Sequence, residues 1–358
     1  MAAPRHRFPW QRTLRAAVCL AAALAMTLAT GTDAPALLVV GALTCVNGDD
    51  TGPLRRRALR LASVLAGGTA GALLGSIASA SGWGQVAAMA TTGLVAGALW
   101  RHGGTAQLAG LTLMILTCIG FGLGGGIPAT QAVGLYLLGS LPMLGILAGT
   151  ALATVRHRRR PRAVLPPDTE TDRTAPSGLR EASADPAPVP APDDRSGVHR
   201  RQVLRLASCM GLAAAVAVVL HPRHSSWLPL TACLVFRIDA VPLHRRALHR
   251  AAGTTAGVLL ALGLTALAPH GWTLVVLALA VGALVPVLTD WSYAGHTAMA
   301  TVIVLVLANP AAVGDTREIT ARLLDTVLAC LIALAFGHLV WPAHLPHPFR
   351  ARRRAQQL

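Results

Sequence analysis

Few residues in this chain could do chemistry in the surroundings that its apolar blocks create. Arg322 and Asp325 stand three positions apart within such a block, so a helix would put them on one face. An ionisable residue in a membrane span costs roughly 2.5–3.5 kcal/mol on insertion scales, so each needs a reason. Two readings are open. Either the pair neutralises itself near the outer end of its span, or Arg322 meets a carboxylate while Asp325 tunes it or carries a proton. Asp290 and His296 bracket a second polar spot. Histidine titrates near physiological pH, which makes a proton relay one reading; an ordinary polar turn, Asp290-Trp291-Ser292-Tyr293, is the other. Arg57 and Arg60, with Arg246 and Arg250, cluster at two equivalent helix starts. They read as topology signals and headgroup contacts, or as a basic vestibule that concentrates anions.

The missing motifs narrow the chemistry further. There is no G-x-x-x-x-G-K-[ST] nucleotide loop, no H-E-x-x-H zinc pair and no G-x-S-x-G nucleophile elbow. Cys19, Cys45, Cys118, Cys209, Cys233 and Cys330 lie inside apolar blocks without CxxC spacing, as small buried apolar residues do. No catalytic residue, metal site or cofactor is expected, and no enzyme.

The elements that must position these residues are membrane helices. The chain is 53% hydrophobic and only 13% charged, with a mean hydropathy of +0.54, against about 25% charged residues in soluble domains. Its apolar residues fall in blocks of roughly 17–22, the length that crosses a bilayer core of about 30 Å. With no water in that core, each span must satisfy its own backbone, so the expected class is all-α and polytopic. About twelve spans are predicted, near 14–31, 34–47, 61–80, 84–100, 105–123 and 129–154, then 203–220, 226–238, 250–268, 272–289, 294–309 and 319–341. The second and eighth are short enough to be tilted, broken or partly interfacial.

Charge gives the orientation. All 31 basic residues are arginine, and the net charge is +16. They sit between apolar blocks, so the lipid bilayer is the partner they indicate, not nucleic acid. With the N-terminus inside, all but Arg223, Arg317 and Arg322 fall on the cytoplasmic side, as the positive-inside rule requires. Both termini are then cytoplasmic, in an inner or plasma membrane.

The chain also reads as one six-helix unit written twice. Leu14-Arg15 with Cys19 returns as Leu204-Arg205 with Cys209, and Leu43-Thr44 as Leu230-Thr231. Pro53-Leu54-Arg55-Arg56-Arg57-Ala58-Leu59 returns as Pro242-Leu243-His244-Arg245-Arg246-Ala247-Leu248, and Thr69-Ala70-Gly71 as Thr255-Ala256-Gly257. Six crossings is an even number, so the copies are parallel, with a midline between them. The positions matching Arg322 and Asp325 are near Tyr136 and Gly139, so that pair belongs to one copy. The expected domains are a first repeat at 1–155, a disordered cytoplasmic linker at 156–202, a second repeat at 203–342 and a basic tail at 343–358. The linker holds eight prolines and no long apolar run, so it cannot bury a core.

The second half resembles the fusaric-acid-resistance-like (FUSC) family, related to aromatic acid exporters. Trp227-Leu228-Pro229-Leu230-Thr231-Ala232 is similar to its Trp-x-x-Leu-Thr-Ala span. His244 to Arg250 followed by Gly253-Thr254 and Gly257 is similar to its His-Arg-Gly-Thr-x-x-Gly helix start. Tyr293 with Thr301, and Arg322-Leu323-Leu324-Asp325 before Trp341-Pro342, resemble its closing spans. The resemblance implies efflux of small, often aromatic, organic acids driven by the proton gradient, with a small organic anion as the partner. It also implies kinship with plant aluminium-activated malate transporters. Larger exporters of the family carry a soluble domain where this chain has a short linker. A passive anion channel, a non-transporting scaffold and a homo-oligomer stay open.

Overall fold

The computed structural model describes residues 10–31, 35–50, 52–122, 127–159, 192–220, 226–236, 242–267, 272–285, 287–288, 292–308 and 315–339. Among the described residues the expected twelve helices are present and no strand is found. They are α1 (Trp10–Thr30), α2 (Pro35–Gly48), α3 (Leu54–Ala78), α4 (Gly82–Trp100), α5 (Gly104–Gly122), α6 (Ala129–Arg159), α7 (Pro192–Leu220), α8 (Trp227–Val235), α9 (Leu243–Leu267), α10 (Trp272–Gly282), α11 (Tyr293–Ala308) and α12 (Thr316–Leu334). A π-helical turn, Ala335–Leu339, follows α12. Seven of these helices are both long and apolar enough to cross a membrane: α1, α3, α5, α6, α7, α9 and α12. The chain is a multi-span membrane protein.

Three helices begin well before the apolar block that announces them. Arginine is among the better helix formers, so the basic runs at 54–60 and 243–250 wind into α3 and α9 instead of waiting outside them. The same effect moves the edges of the expected linker. Residues 156–159 continue α6, and residues 192–202 open α7; the stretch between lies outside the described residues.

Four helices fall short of the bilayer. At 1.5 Å per residue, α2, α8, α10 and α11 rise about 21, 14, 17 and 24 Å. Pro286 has no N–H to offer the carbonyl of Gly282, and α10 ends there. A helix that stops inside a membrane exposes unpaired backbone groups, which lipid does not tolerate. Protein must cover it, and α8 meets that requirement. Trp227, Leu228, Pro229, Leu230, Thr231, Ala232, Cys233 and Val235 are all buried, as expected of a helix that is apolar all round. It packs among α5, α7, α9 and α12.

The two halves use the same pairings. In the first, α1 packs on α2 and α6, α2 on α6, α3 on α4, α5 and α6, and α4 on α5. Adding six to each label gives the pairings of the second half. Between halves, α4 packs on α7 and α5 on α8; with the halves exchanged, these become α10 on α1 and α11 on α2, and both contacts occur. Such pairings are what a two-fold axis near α2, α5, α8 and α11 would generate.

Glycines let α3 approach α5, and α9 approach α11, closely. Gly71 lies against the carbonyl of Leu113, and Gly257 against the carbonyl of Ala298; a Cβ at either would collide with backbone. Small residues allow this contact in lipid, where van der Waals packing drives helix association. Gly71→Val and Gly257→Val are each predicted to destabilise the bundle by about 1–3 kcal/mol, read as a lower melting temperature in detergent. Gly149→Val, where nothing lies within 4 Å, should change stability by no more than about 0.5 kcal/mol.

Candidate functional site: a buried cationic cluster in the second half

α9 and α12 bring charge into the bundle from opposite ends. The buried residues of α9 include Arg246, Arg250 and Thr254, spaced four apart and therefore one above another. Because α9 starts at Leu243, Arg250 lies about 10 Å along the helix, two turns past its mouth. α12 starts from a cap: the Asp315 carboxylate accepts from the Arg317 N–H at 2.9 Å. Arg322 lies about 9 Å further on. The Cys330 thiol donates to the Ala247 carbonyl at 3.6 Å, and Gly337 lies against Leu243. The two helices thus run antiparallel, and both bring a buried arginine into the interior.

Arg322 is 1% exposed, Arg250 3% and Asp325 0%. The Arg322 guanidinium stands over the ring of Trp227, 5.2 Å from its centroid, within cation–π range. Its Nε and Nη1, and Nε of Arg250, have no hydrogen-bond partner among the described residues. Neither do the hydroxyls of Thr231, Thr254 and Thr297. That is unusual in this bundle. Thr117, Thr301 and Thr326 donate to the carbonyl four residues earlier, at 2.8, 2.9 and 2.9 Å. Nearer the start of α9, Arg246 lies over Tyr293 at 5.7 Å, and the Tyr293 hydroxyl donates to the Leu234 carbonyl at 3.1 Å. This second layer ties α9, α11 and α8 together below the cluster.

The first half closes the same place without charge. Shifting the chain by 186 residues lays the buried stripe of α3 on that of α9 and sets Val64, Gly68, Tyr136 and Gly139 where the second half has Arg250, Thr254, Arg322 and Asp325. Tyr136 is fully buried. Its hydroxyl donates to the Val64 carbonyl at 3.0 Å, and its ring fills the space beside Gly68. One self-contained hydrogen bond seals the position.

The other expected residues fall elsewhere. Arg57 is 7% exposed and holds Asp49 with both arms of its guanidinium, Nε to Oδ1 at 2.8 Å and Nη2 to Oδ2 at 3.0 Å. Arg15 reaches the same carboxylate at 2.7 Å, so Asp49 locks α1, α2 and α3 together. Arg60 donates to the Gly48 carbonyl at 2.9 Å, capping the end of α2. Both arginines thus act in the helix clamp, and sequence reasoning had missed Asp49. A carboxylate just past an apolar block, eight residues before an arginine, was the available signal. His296 is half-buried on α11. Asp290 lies outside the described residues.

One comparison with known proteins falls on this site. Residues 212–336 match the family model described as fusaric acid resistance protein-like. The fusaric acid resistance protein-like region covers about a third of the chain and contains Thr231, Arg250, Thr254, Thr297, Arg322 and Asp325. The chain is also similar to the uncharacterized protein YhfK of Escherichia coli (strain K12), 29% identical over 145 residues. That alignment covers 39% of this chain and 20% of YhfK, so the chain spans about a fifth of that relative's length. No solved structure matches the chain.

Removing one partner of a buried ion pair strands the other charge and costs about 3–5 kcal/mol. Asp49→Asn should therefore lower thermal stability strongly. Arg56→Gln, at a mainly exposed partner of Asp50 with a 3.3 Å contact, should cost no more than about 1 kcal/mol. Melting curves of the two purified variants make the comparison.

Proposed function

We propose that the chain is a secondary transporter that exports small organic acids in exchange for protons, along a path between two duplicated six-helix halves. The observation that carries this reading is the unmet guanidinium donors of the buried cluster. Among the described residues, two arginines and one carboxylate leave it net positive in the interior of a membrane protein. Intramembrane ionisable residues face pathways and pair with what passes along them. A carboxylate is the natural partner of a guanidinium, which presents it with parallel N–H donors. Trp227 belongs both to this cluster, through Arg322, and to an apolar core that joins residues of both halves. The cluster therefore borders the contact between the halves, where the path would run. Asp325, three residues from Arg322, is the group placed to exchange a proton as the substrate carboxylate comes and goes.

The match to the fusaric acid resistance protein-like family supports efflux as the direction. The shared pairings of the two halves support duplication, and the arginine distribution supports cytoplasmic termini. Arg246 and the exposed Arg245 at the start of α9 leave positive charge on the inner side, where it would attract anions.

Reconstituted into liposomes, the protein is expected to accumulate benzoate against its gradient when a proton gradient alone is imposed. Downhill flux without accumulation would mean a passive anion channel, and no flux would leave a scaffold. Arg322→Ala should abolish accumulation; normal export by that variant would exclude the pathway.

A further inference from the structure

We infer that Arg250 and Arg322 together form a single anion-binding site per chain, for one singly charged carboxylate, in which Asp325 is a resident competitor. This deepens the transport reading and rests on it for the substrate class. Arg250 would read as a topology arginine, since it ends a basic run at a helix start. In the structure it is buried two turns inside α9, which packs on α12, and lies one turn beyond the Ala247 carbonyl that takes the Cys330 thiol. Like charges in a dry interior repel, and each carries a desolvation cost of several kcal/mol. Asp325 offsets one of them. The second has no counter-charge among the described residues, and the unfilled guanidinium N–H groups of both arginines remain.

The surroundings define the ligand. Donors come from α9 and α12, and hydroxyls from Thr231, Thr254 and Thr297 lie on α8, α9 and α11. One face of Arg322 is covered by the Trp227 ring. An added single negative charge brings the cluster to neutrality; a dianion would overshoot it. The first half holds no second copy of the site, because Tyr136 and Val64 fill the corresponding place with their own hydrogen bond. The expected stoichiometry is therefore one, despite two similar halves.

Equilibrium binding of radiolabelled benzoate to the purified full-length protein in detergent tests this directly, with no gradient and no transport. The wild type should bind one benzoate per chain. Arg250→Gln and Arg322→Gln should each weaken binding at least about tenfold, as expected for a charge-assisted contact worth 1.5–3 kcal/mol. Asp325→Asn should tighten binding severalfold, a gain that a misfolded variant cannot produce. Unchanged affinity in Asp325→Asn, wild-type affinity in a folded Arg250→Gln, or two sites per chain would each overturn the inference. Displacement of benzoate by equimolar chloride would assign the site to inorganic anions and overturn the carboxylate assignment. Intact binding with no accumulation in liposomes would refute the transport reading and leave the site standing.

Discussion

A charge taken out of water must be compensated inside the protein, and a bilayer leaves few ways to do it. The bundle uses two. Around Asp49 two arginines share one carboxylate, and the compensation is made by direct contact: Arg57 is bidentate, the part-exposed Arg15 adds a third hydrogen bond, and the result is a clamp on three helices. Around Arg322 contact is missing: among the described residues, Nε and Nη1 of Arg322 and Nε of Arg250 have no hydrogen-bond partner. A clamp of the first kind holds structure together. Unmet donors of the second kind call for a partner, and the proposed anionic substrate would supply it.

The rest of the architecture serves the Arg322 cluster. Short helices such as α8 are permissible because other helices enclose them, and enclosing α8 places Trp227 beside Arg322. The close glycine contacts of α9 with α11 bring Thr297 against Gly253, one turn from Arg250. The π-helical turn after α12 is held by Arg205, which donates to the carbonyls of Phe336 and Gly337. That links α7 to the end of the helix that carries both Arg322 and Asp325. In the first half the matching Arg15 goes to Asp49 instead, so corresponding arginines have taken different partners in the two halves.

Much of this was legible in the residues. The twelve helices, the short α2 and α8, and the confinement of Arg322 and Asp325 to the second half follow from hydropathy and from internal similarity. What was hidden depended on helix starts and on contacts distant in sequence. Arg250 and Arg57 look alike as members of basic runs, because hydropathy marks a span where the apolar block begins. The helix begins a turn or two earlier, and only that fact moves them inside. Which partner each then meets, Asp49 or Arg322, is set by packing between helices and is written in no local pattern. The same reason concealed the tyrosine seal, since Tyr136 and Val64 are 72 positions apart.

The most direct measurement is an experimental structure of the protein with bound benzoate. Benzoate is expected with its carboxylate within hydrogen-bond distance of both Arg250 and Arg322, beside Trp227, and absent from the Tyr136 position. A benzoate bound elsewhere, with the two arginines paired to protein groups alone, would contradict the role given to the buried charge.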